Sequence, residues 1–331
     1  MGLGLLTVTA TVTATVTAAV TATARHAAVV SAATFLFGVE FAFAGACCGG
    51  GSSVAGVILG DEKYLLGLDL DSKTITTDVS AKGVWRDRLE LEEQQTLKLH
   101  LTSLISDRFQ LGVSPSLVKK HRYGDTDTSL GDTSLLLAYE ALPDWDYHPI
   151  RPRGTVYLSA SIPTGKSVYD SQSTGFLDAA GKGYASLGLG AIFNKTISKW
   201  TAIFSTEAHH GFDKSPIRPS WGYTTSLSFS YDLASWIKGL YVQTGLSHTY
   251  QNVFHLEQSQ FEGNQSLETV DALQVTAPSI GLSYSGIPFL PESEDPLVFH
   301  LTYSDQSLLG MPLNTPLGKT LTLGIRKQIL R

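Results

Sequence analysis

The chain has 331 residues, with 24 Lys and Arg against 30 Asp and Glu, and therefore a formal net charge of −6. Hydrophobic residues make up 43 % of it, aromatic residues 10 % and charged residues only 16 %. This balance excludes a nucleic-acid binder with a cationic stripe, a disulfide scaffold (there are two cysteines) and a disordered chain.

Residues 1–44 are predicted to be a secretion signal with an unusually long leader. Residues 2–24 are uncharged and repeat Thr, Val and Ala, and a later apolar stretch ends in Ala-Phe-Ala at 42–44. This ending is typical of a signal-peptidase site, so we expect cleavage after residue 44. A membrane-anchor helix is the alternative. It is disfavoured because a span needs about 20 apolar residues and Glu40 interrupts the stretch.

Residues 45–60 form a Cys-, Gly- and Ser-rich segment, which we predict to be an N-terminal linker. Cys47 follows Ala-Gly-Ala, a sequence that resembles a bacterial lipobox, and is therefore a candidate for lipidation. Cys47 and Cys48 are adjacent and cannot easily bridge each other in normal disulfide geometry. The Gly-Gly-Gly-Ser-Ser that follows has the composition of a flexible linker.

Residues 61–331 alternate between apolar and polar positions, the period-2 pattern of β-strands. In one clear case Leu227, Phe229 and Tyr231 share a face, and Ser226, Ser228 and Ser230 share the other. Twelve such segments are predicted: 62–77, 93–105, 107–119, 131–142, 154–164, 183–194, 199–210, 221–232, 237–250, 268–285, 296–305 and 317–331.

The lengths of these segments favour membrane-spanning strands. Most have 10–15 residues, whereas strands of soluble proteins average about 5–6 residues and tilted transmembrane strands need roughly 9–11. Tight connections alternate with long polar loops, as in outer-membrane barrels with short periplasmic turns. The Pro-rich connections 143–153 and 286–295 depart from that pattern. We therefore predict an all-β fold, a transmembrane antiparallel β-barrel of about 12 strands over residues 61–331.

Aromatic residues lie in or beside the predicted strands, often near their ends, which resembles the interfacial girdles of membrane barrels. The alternative, a secreted soluble β-protein, would pack a face rich in Ile, Val and Leu inside. The aromatic residues are Tyr64, Trp85, Phe109, Tyr139, Tyr157, Tyr184, Phe193, Trp200, Trp221, Tyr231, Trp236, Tyr241, Tyr250, Phe299 and Tyr303.

Two stretches resemble strand signatures of a Gram-negative outer-membrane transporter family that is associated with the meta-cleavage pathway of phenol degradation. They are residues 130–140 (Leu-Gly-Asp-Thr-Ser-Leu-Leu-Leu-Ala-Tyr-Glu) and 156–166 (Val-Tyr-Leu-Ser-Ala-Ser-Ile-Pro-Thr-Gly-Lys). The resemblance implies a barrel of about a dozen strands in the outer membrane that carries small hydrophobic or aromatic compounds. One departure is the C-terminal Ile-Leu-Arg, since barrel proteins often end in Phe or Trp.

The polar faces of the predicted strands supply candidate pore-lining residues: Lys98, His100, Glu207, Gln243, His300 and Arg326. In a closed barrel the last strand neighbours the first, which places the Lys, Arg and two His on one arc and Glu207 across from them. We expect a transverse field that selects solutes by dipole and charge. The alternative is that these charges pair with one another and plug the lumen.

Other chemistry in the sequence is sparse. His209, His210 and Asp213 suggest a metal site, but adjacent strand residues point to opposite faces, so a solvated loop end is the simpler interpretation. His100 with Thr102, and His300 with Thr302, could pair a base with a hydroxyl; pore-lining polar residues are the alternative. We predict no catalytic activity, no metal and no cofactor.

The sequence therefore predicts an outer-membrane channel for small, hydrophobic or aromatic solutes. A plugged structural or adhesive barrel is the first alternative, and a lipid-modifying barrel enzyme is the second. The expected partners are outer-membrane lipid and lipopolysaccharide, the barrel-assembly machinery and a small-molecule solute, with no nucleic acid.

Overall fold

The computed structural model describes residues 56–60, 62–144, 148–259, 265–286 and 297–330, all within the unit Gly45–Arg331. The predicted signal, the cleavage position and the candidate lipidation site at Cys47 lie outside the described residues. Within them, no helix is long and apolar enough to cross a membrane.

The described secondary structure is almost entirely β-strand, with two 3-10 turns at Val168–Asp170 and Thr174–Phe176. The strands are β1 (Glu62–Val79), β2 (Trp85–Leu104), β3 (Phe109–Ser114), β4 (Ser116–Arg122), β5 (Asp125–Leu130), β6 (Thr133–Leu142), β7 (Arg153–Ile162), β8 (Ser186–Ile197), β9 (Trp200–Gly211), β10 (Ile217–Arg218), β11 (Trp221–Asp232), β12 (Leu240–Gln251), β13 (Phe254–Ser259), β14 (Gln265–Val270), β15 (Leu273–Gly286), β16 (Leu297–Asp305) and β17 (Thr315–Leu330).

The main sheet closes on itself. β1 pairs antiparallel with β2 on one side and with β17 on the other. β3 and β4 form one strand interrupted at Pro115, and β5 and β6 form another interrupted at Gly131. The result is the predicted barrel of twelve antiparallel strands, and each of the twelve predicted segments overlaps one of them.

The structure differs from the prediction on the side of the long loops. β2 begins at Trp85 rather than 93, and 120–130, predicted as a loop, forms most of the β4–β5 hairpin. These extensions carry charges, such as the Arg88–Asp78 ion pair at 2.7 Å. The apolar alternation stops there while the backbone pairing continues. β10, β13 and β14 form a separate three-stranded sheet. β10 and β13 lie between predicted segments, whereas β14 runs into the predicted segment 268–285.

The barrel has a turn end, where residues 105–108 and 198–199 connect strands, and a loop end, where residues 163–185 do so. Leucines face outward between the ends, as Leu66, Leu68 and Leu70 do on β1. Pairs of aromatic rings in contact mark both ends of this apolar belt. Phe109–Tyr139 and Trp200–Tyr231, with centroids 4.8 and 4.6 Å apart, lie at the turn end, and Tyr223–Tyr250, at 5.5 Å, lies at the loop end.

Candidate functional site: the barrel lumen

All six predicted pore-lining residues lie on the lumen face of their strands. Five are buried; Lys98 is half-buried. Lys98 and His100 belong to β2, and the others lie on β9, β12, β16 and β17, in the order Glu207, Gln243, His300 and Arg326. Their placement follows from the alternation of each strand, because successive side chains of a strand point to opposite faces of the sheet.

Asp69 lies at the centre of the arc that the sequence predicted to be cationic. Its Oδ2 atom lies 3.3 Å from Nε2 of His100 and 3.3 Å from Nη2 of Arg326. Its Oδ1 atom lies 3.4 Å from Nε2 of His300. Four strands, β1, β2, β16 and β17, therefore converge on one carboxylate where the barrel closes.

A second aspartate on β1 binds the remaining cation of that arc. Oδ2 of Asp71 lies 2.9 Å from the ammonium of Lys98, and Oδ1 accepts a hydrogen bond from Thr322 at 2.7 Å. The sequence analysis did not single out Asp69 or Asp71, although both lie on the polar face of segment 62–77. The two carboxylates balance the two permanent cations, so the expected transverse field loses its unpaired cationic arc.

Glycines on the lumen face make room for these contacts. Gly324 lies between His300 and Asp69 in the register of β16, β17 and β1, and a Cβ atom there would collide with both side chains. Gly67 lies likewise between Arg326 and His100, but there the nearest atoms would be 3.4 Å from a Cβ. Side chains from next-nearest strands thus meet above the glycine of the strand between them.

On the opposite wall, another lumen glycine lies between side chains of its two neighbouring strands, and these side chains are of different types. Tyr157 on β7 and Glu207 on β9 flank Gly190 of β8 in register, and the Tyr157 ring covers the glycine. Tyr157 is only 2 % exposed and packs with Val57, Ala138 and Ile192. Its assignment to the outer aromatic girdle was therefore wrong: it occupies a lumen position of its strand.

Residues 56–60, the described part of the predicted linker, lie inside the lumen towards the turn end. Gln110 holds the backbone of Ile58 through two hydrogen bonds, accepting from its N at 2.9 Å and donating to its O at 2.8 Å. Arg153 donates to the carbonyls of Leu59 and Gly60. Side chains of β3 and β7 therefore fix this segment, which its composition alone did not suggest.

The two stretches that carry the family resemblance pair with each other as β6 and β7 and meet again beyond the strands. Thr164 donates to the carbonyl of Gly131 at 2.7 Å, and Asp132 accepts from the backbone N of Gly165 and of Lys182. These contacts tie both ends of loop 163–185 to the start of β6.

Asp178 organises the interior of that loop. The hydroxyls of Ser171 and Ser173 donate to its carboxylate, and the backbone N of Gln172 and the ammonium of Lys166 add further hydrogen bonds. These donors, the two serines foremost, hold the pKa of Asp178 well below its usual range. Lys120, which faces inward from β4, donates to the carbonyl of Ala179, so the loop reaches over the loop end of the lumen.

The hydroxyl–imidazole pairs expected from the sequence are not formed as expected. His100 contacts Ser114 through Nδ1 at 2.9 Å, while Thr102 donates to the carbonyl of Gly56. His300 faces Asp69.

The metal hypothesis at residues 209–213 gains no support. His209 faces the lumen and contacts Gln251 at 3.0 Å, whereas His210 is exposed on the other face of β9. In the part of the chain that the structure describes, no three His, Cys, Asp or Glu side chains form a group that could hold a metal ion.

No protein-family model and no curated protein sequence matches the chain. Among solved structures, an outer-membrane channel from Pseudomonas putida F1 is similar at a TM-score of 0.59 and 16 % identity, over 82 % of this chain and 96 % of that one. A FadL homologue from Pseudomonas aeruginosa gives 0.41 and 10 %, over 80 % and 90 %. Outer membrane phospholipase A from Escherichia coli gives 0.35 and 12 %, over 82 % and 91 %. The first of these shows the same barrel fold.

Proposed function

We propose that the protein is an outer-membrane channel for small hydrophobic or aromatic solutes. The observation that carries this proposal is a closed barrel with an apolar belt between two aromatic girdles and a lumen lined by polar side chains. Such a belt fits a bilayer, with the turn end in the periplasm and the loop end outside. The fold shared with a channel of Pseudomonas putida F1 supports this proposal.

The solute class follows from how the lumen is filled. Segment 56–60, the contacts around Asp69 and loop 163–185 each occupy part of it. A strongly hydrated sugar would lose water in such a passage, at a cost that a small apolar solute does not meet. The two stretches that resemble a transporter family of phenol degradation point to aromatic compounds.

Liposome swelling tests this function. The refolded protein, with its β-structure checked by circular dichroism, is placed in liposomes and challenged with sugars, phenol and benzoate. We expect swelling with the aromatic solutes and not with sugars. A folded barrel that passes none of them is the structural or adhesive barrel, an alternative favoured by the occupied lumen.

Loosening segment 56–60 sharpens that test. Gln110→Ala removes both side-chain hydrogen bonds to Ile58, and we expect faster solute entry and a larger conductance in planar bilayers. Gln251→Ala is the matched control, because Gln251 binds the carbonyl of Ser220 at the loop end and not the segment. Equal conductance in both variants would show that the segment does not limit passage.

Enzymatic activity is the weaker alternative. Ser114, His100 and Asp69 form a chain of contacts like that of a serine hydrolase, at 2.9 and 3.3 Å. The serine hydroxyl, however, lies inside the barrel beside Gly56, 3.7 Å from where a Cβ atom of that residue would be. A lipid in the surrounding membrane could not reach it. We expect no ester hydrolysis, and activity abolished by Ser114→Ala would contradict this.

A further inference from the structure

The lumen contains a buried guanidinium with spare hydrogen-bond donors. Arg326 is 3 % exposed, and its Nη2 atom donates to Asp69 at 3.3 Å, a long hydrogen bond. Neither Nε nor Nη1 has a hydrogen-bond partner among the described residues. A buried charged donor without an acceptor is unfavourable, and such donors bind oxyanions strongly in a low dielectric.

The surroundings of this guanidinium combine polar and apolar surface. Gly67, the neighbour in register on β1, adds no side chain of its own, and His100 lies across it from the arginine. Val298, the neighbour on β16, is buried on the lumen face, and so is Leu65 on β1. A ligand there meets a cation on one side and aliphatic groups on the other.

We propose that Arg326 is the carboxylate-binding residue of a lumen subsite for small aromatic or aliphatic monocarboxylic acids. The carboxylate accepts from the spare N–H groups, and the apolar body lies against Val298 and Leu65. This inference rests on the proposed channel function and narrows its solute class. Lys98, the other permanent cation of this wall, is already bound to Asp71 at 2.9 Å and does not serve this purpose.

A substitution at Asp69 tests the proposal through the direction in which benzoate affinity changes. Its carboxylate accepts the hydrogen bond from Nη2 of Arg326 and places a negative charge beside the subsite. Asp69→Asn removes that charge with little change of shape, so an incoming carboxylate meets less repulsion. We expect Asp69→Asn to bind benzoate more tightly than the parent protein, whereas a purely structural arginine would predict no gain.

The experiment is isothermal titration of the refolded full chain in detergent micelles with benzoate and with neutral benzyl alcohol. Because a charge-assisted hydrogen bond is lost, Arg326→Gln is expected to weaken benzoate binding about tenfold or more and to leave benzyl alcohol unchanged. Lys98→Gln is the matched control: it removes an equal charge from the same wall, and we expect a change of less than about twofold in benzoate affinity.

Two results would overturn the proposal: a parent protein that does not prefer benzoate to benzyl alcohol, or equal losses in the arginine and lysine variants. If Arg326→Gln does not fold by circular dichroism, Asp69→Asn decides, and unchanged or weaker benzoate binding then counts against the subsite. If neither variant folds, the parent protein decides through its preference for benzoate over benzyl alcohol. Swelling of liposomes by phenol without any benzoate preference would preserve the channel function and refute only the subsite.

Discussion

Two buried aspartates organise two different regions of the molecule. Asp69 in the lumen is 5 % exposed, and Asp178 in the loop above it is 6 % exposed. The partners of Asp69 lie on other strands, and Arg326 is 257 residues away in the chain. Asp178 instead accepts hydrogen bonds from Ser171 and Ser173, seven and five residues before it.

The two aspartates are buried to the same extent, yet their contacts hold together parts of the molecule that differ greatly in size. The contacts of Asp69 join the first strand to the last and to their neighbours, so they contribute to closing the barrel. The contacts of Asp178 lie mostly within one loop, so they determine the shape of that loop. Removing the Asp69 carboxylate should lower the stability of the whole barrel, whereas removing the Asp178 carboxylate should lower only the local stability of its loop.

The largest effect is expected for Asp69→Ala. The substitution leaves Arg326 buried without its counter-charge, and breaking a buried ion pair in this way costs about 3–5 kcal/mol in the free energy of unfolding. The measurement is urea unfolding in micelles, followed by tryptophan fluorescence. Asp178→Ala is the control and should leave the global midpoint nearly unchanged. Similar midpoints for the two variants would remove the distinction between the regions.

A smaller effect is expected at the glycines that separate the lumen side chains. Gly324→Ala places a methyl group against His300 and Asp69, and such overpacking costs about 1–3 kcal/mol in the free energy of unfolding. Gly67→Ala lies on the same wall, but its nearest neighbours stay 3.4 Å away. It should unfold at or slightly above the parent midpoint, because alanine restricts the unfolded chain. The same unfolding assay ranks the two variants, and an equal loss in both would contradict this argument.

The alternation of the sequence predicted the twelve strands and the inward direction of all six candidate lumen residues. It could do so because the two faces of a strand depend only on local order. The same pattern could not distinguish Asp69 from the other polar residues of β1. The partners of Asp69 become its neighbours only when the barrel closes. Gly324 carried no signal either, because a lumen glycine matters through side chains of adjacent strands.

Composition was least informative where tertiary contacts override it. Residues 56–60 follow a flexible-linker sequence, yet Gln110 and Arg153 fix their backbone inside the barrel. Tyr157 lies among aromatic residues of similar position, yet it points inward. In both cases the deciding partners come from distant segments. The two family-like stretches lie in consecutive predicted strands and pair as such a barrel requires, but the hydrogen bond from Thr164 to Gly131 beyond the strands was not predicted.

The smallest expected effect is the loosening of loop 163–185 at low pH. The pKa of Asp178 is held low, chiefly by the hydroxyls of Ser171 and Ser173. Its carboxylate therefore contributes fully to the order of loop 163–185 above the ordinary aspartate pKa of about 3.9. That contribution is lost only as the pH falls through the lower pKa of the folded state. Hydrogen–deuterium exchange of peptides from that loop should therefore stay slow from neutral pH to about pH 4, after correction for the intrinsic exchange rate. Asp178→Asn should exchange faster throughout this range, while the barrel strands remain protected. Loosening of the parent loop already between about pH 6 and 5 would mean that another group, and not this carboxylate, holds the loop.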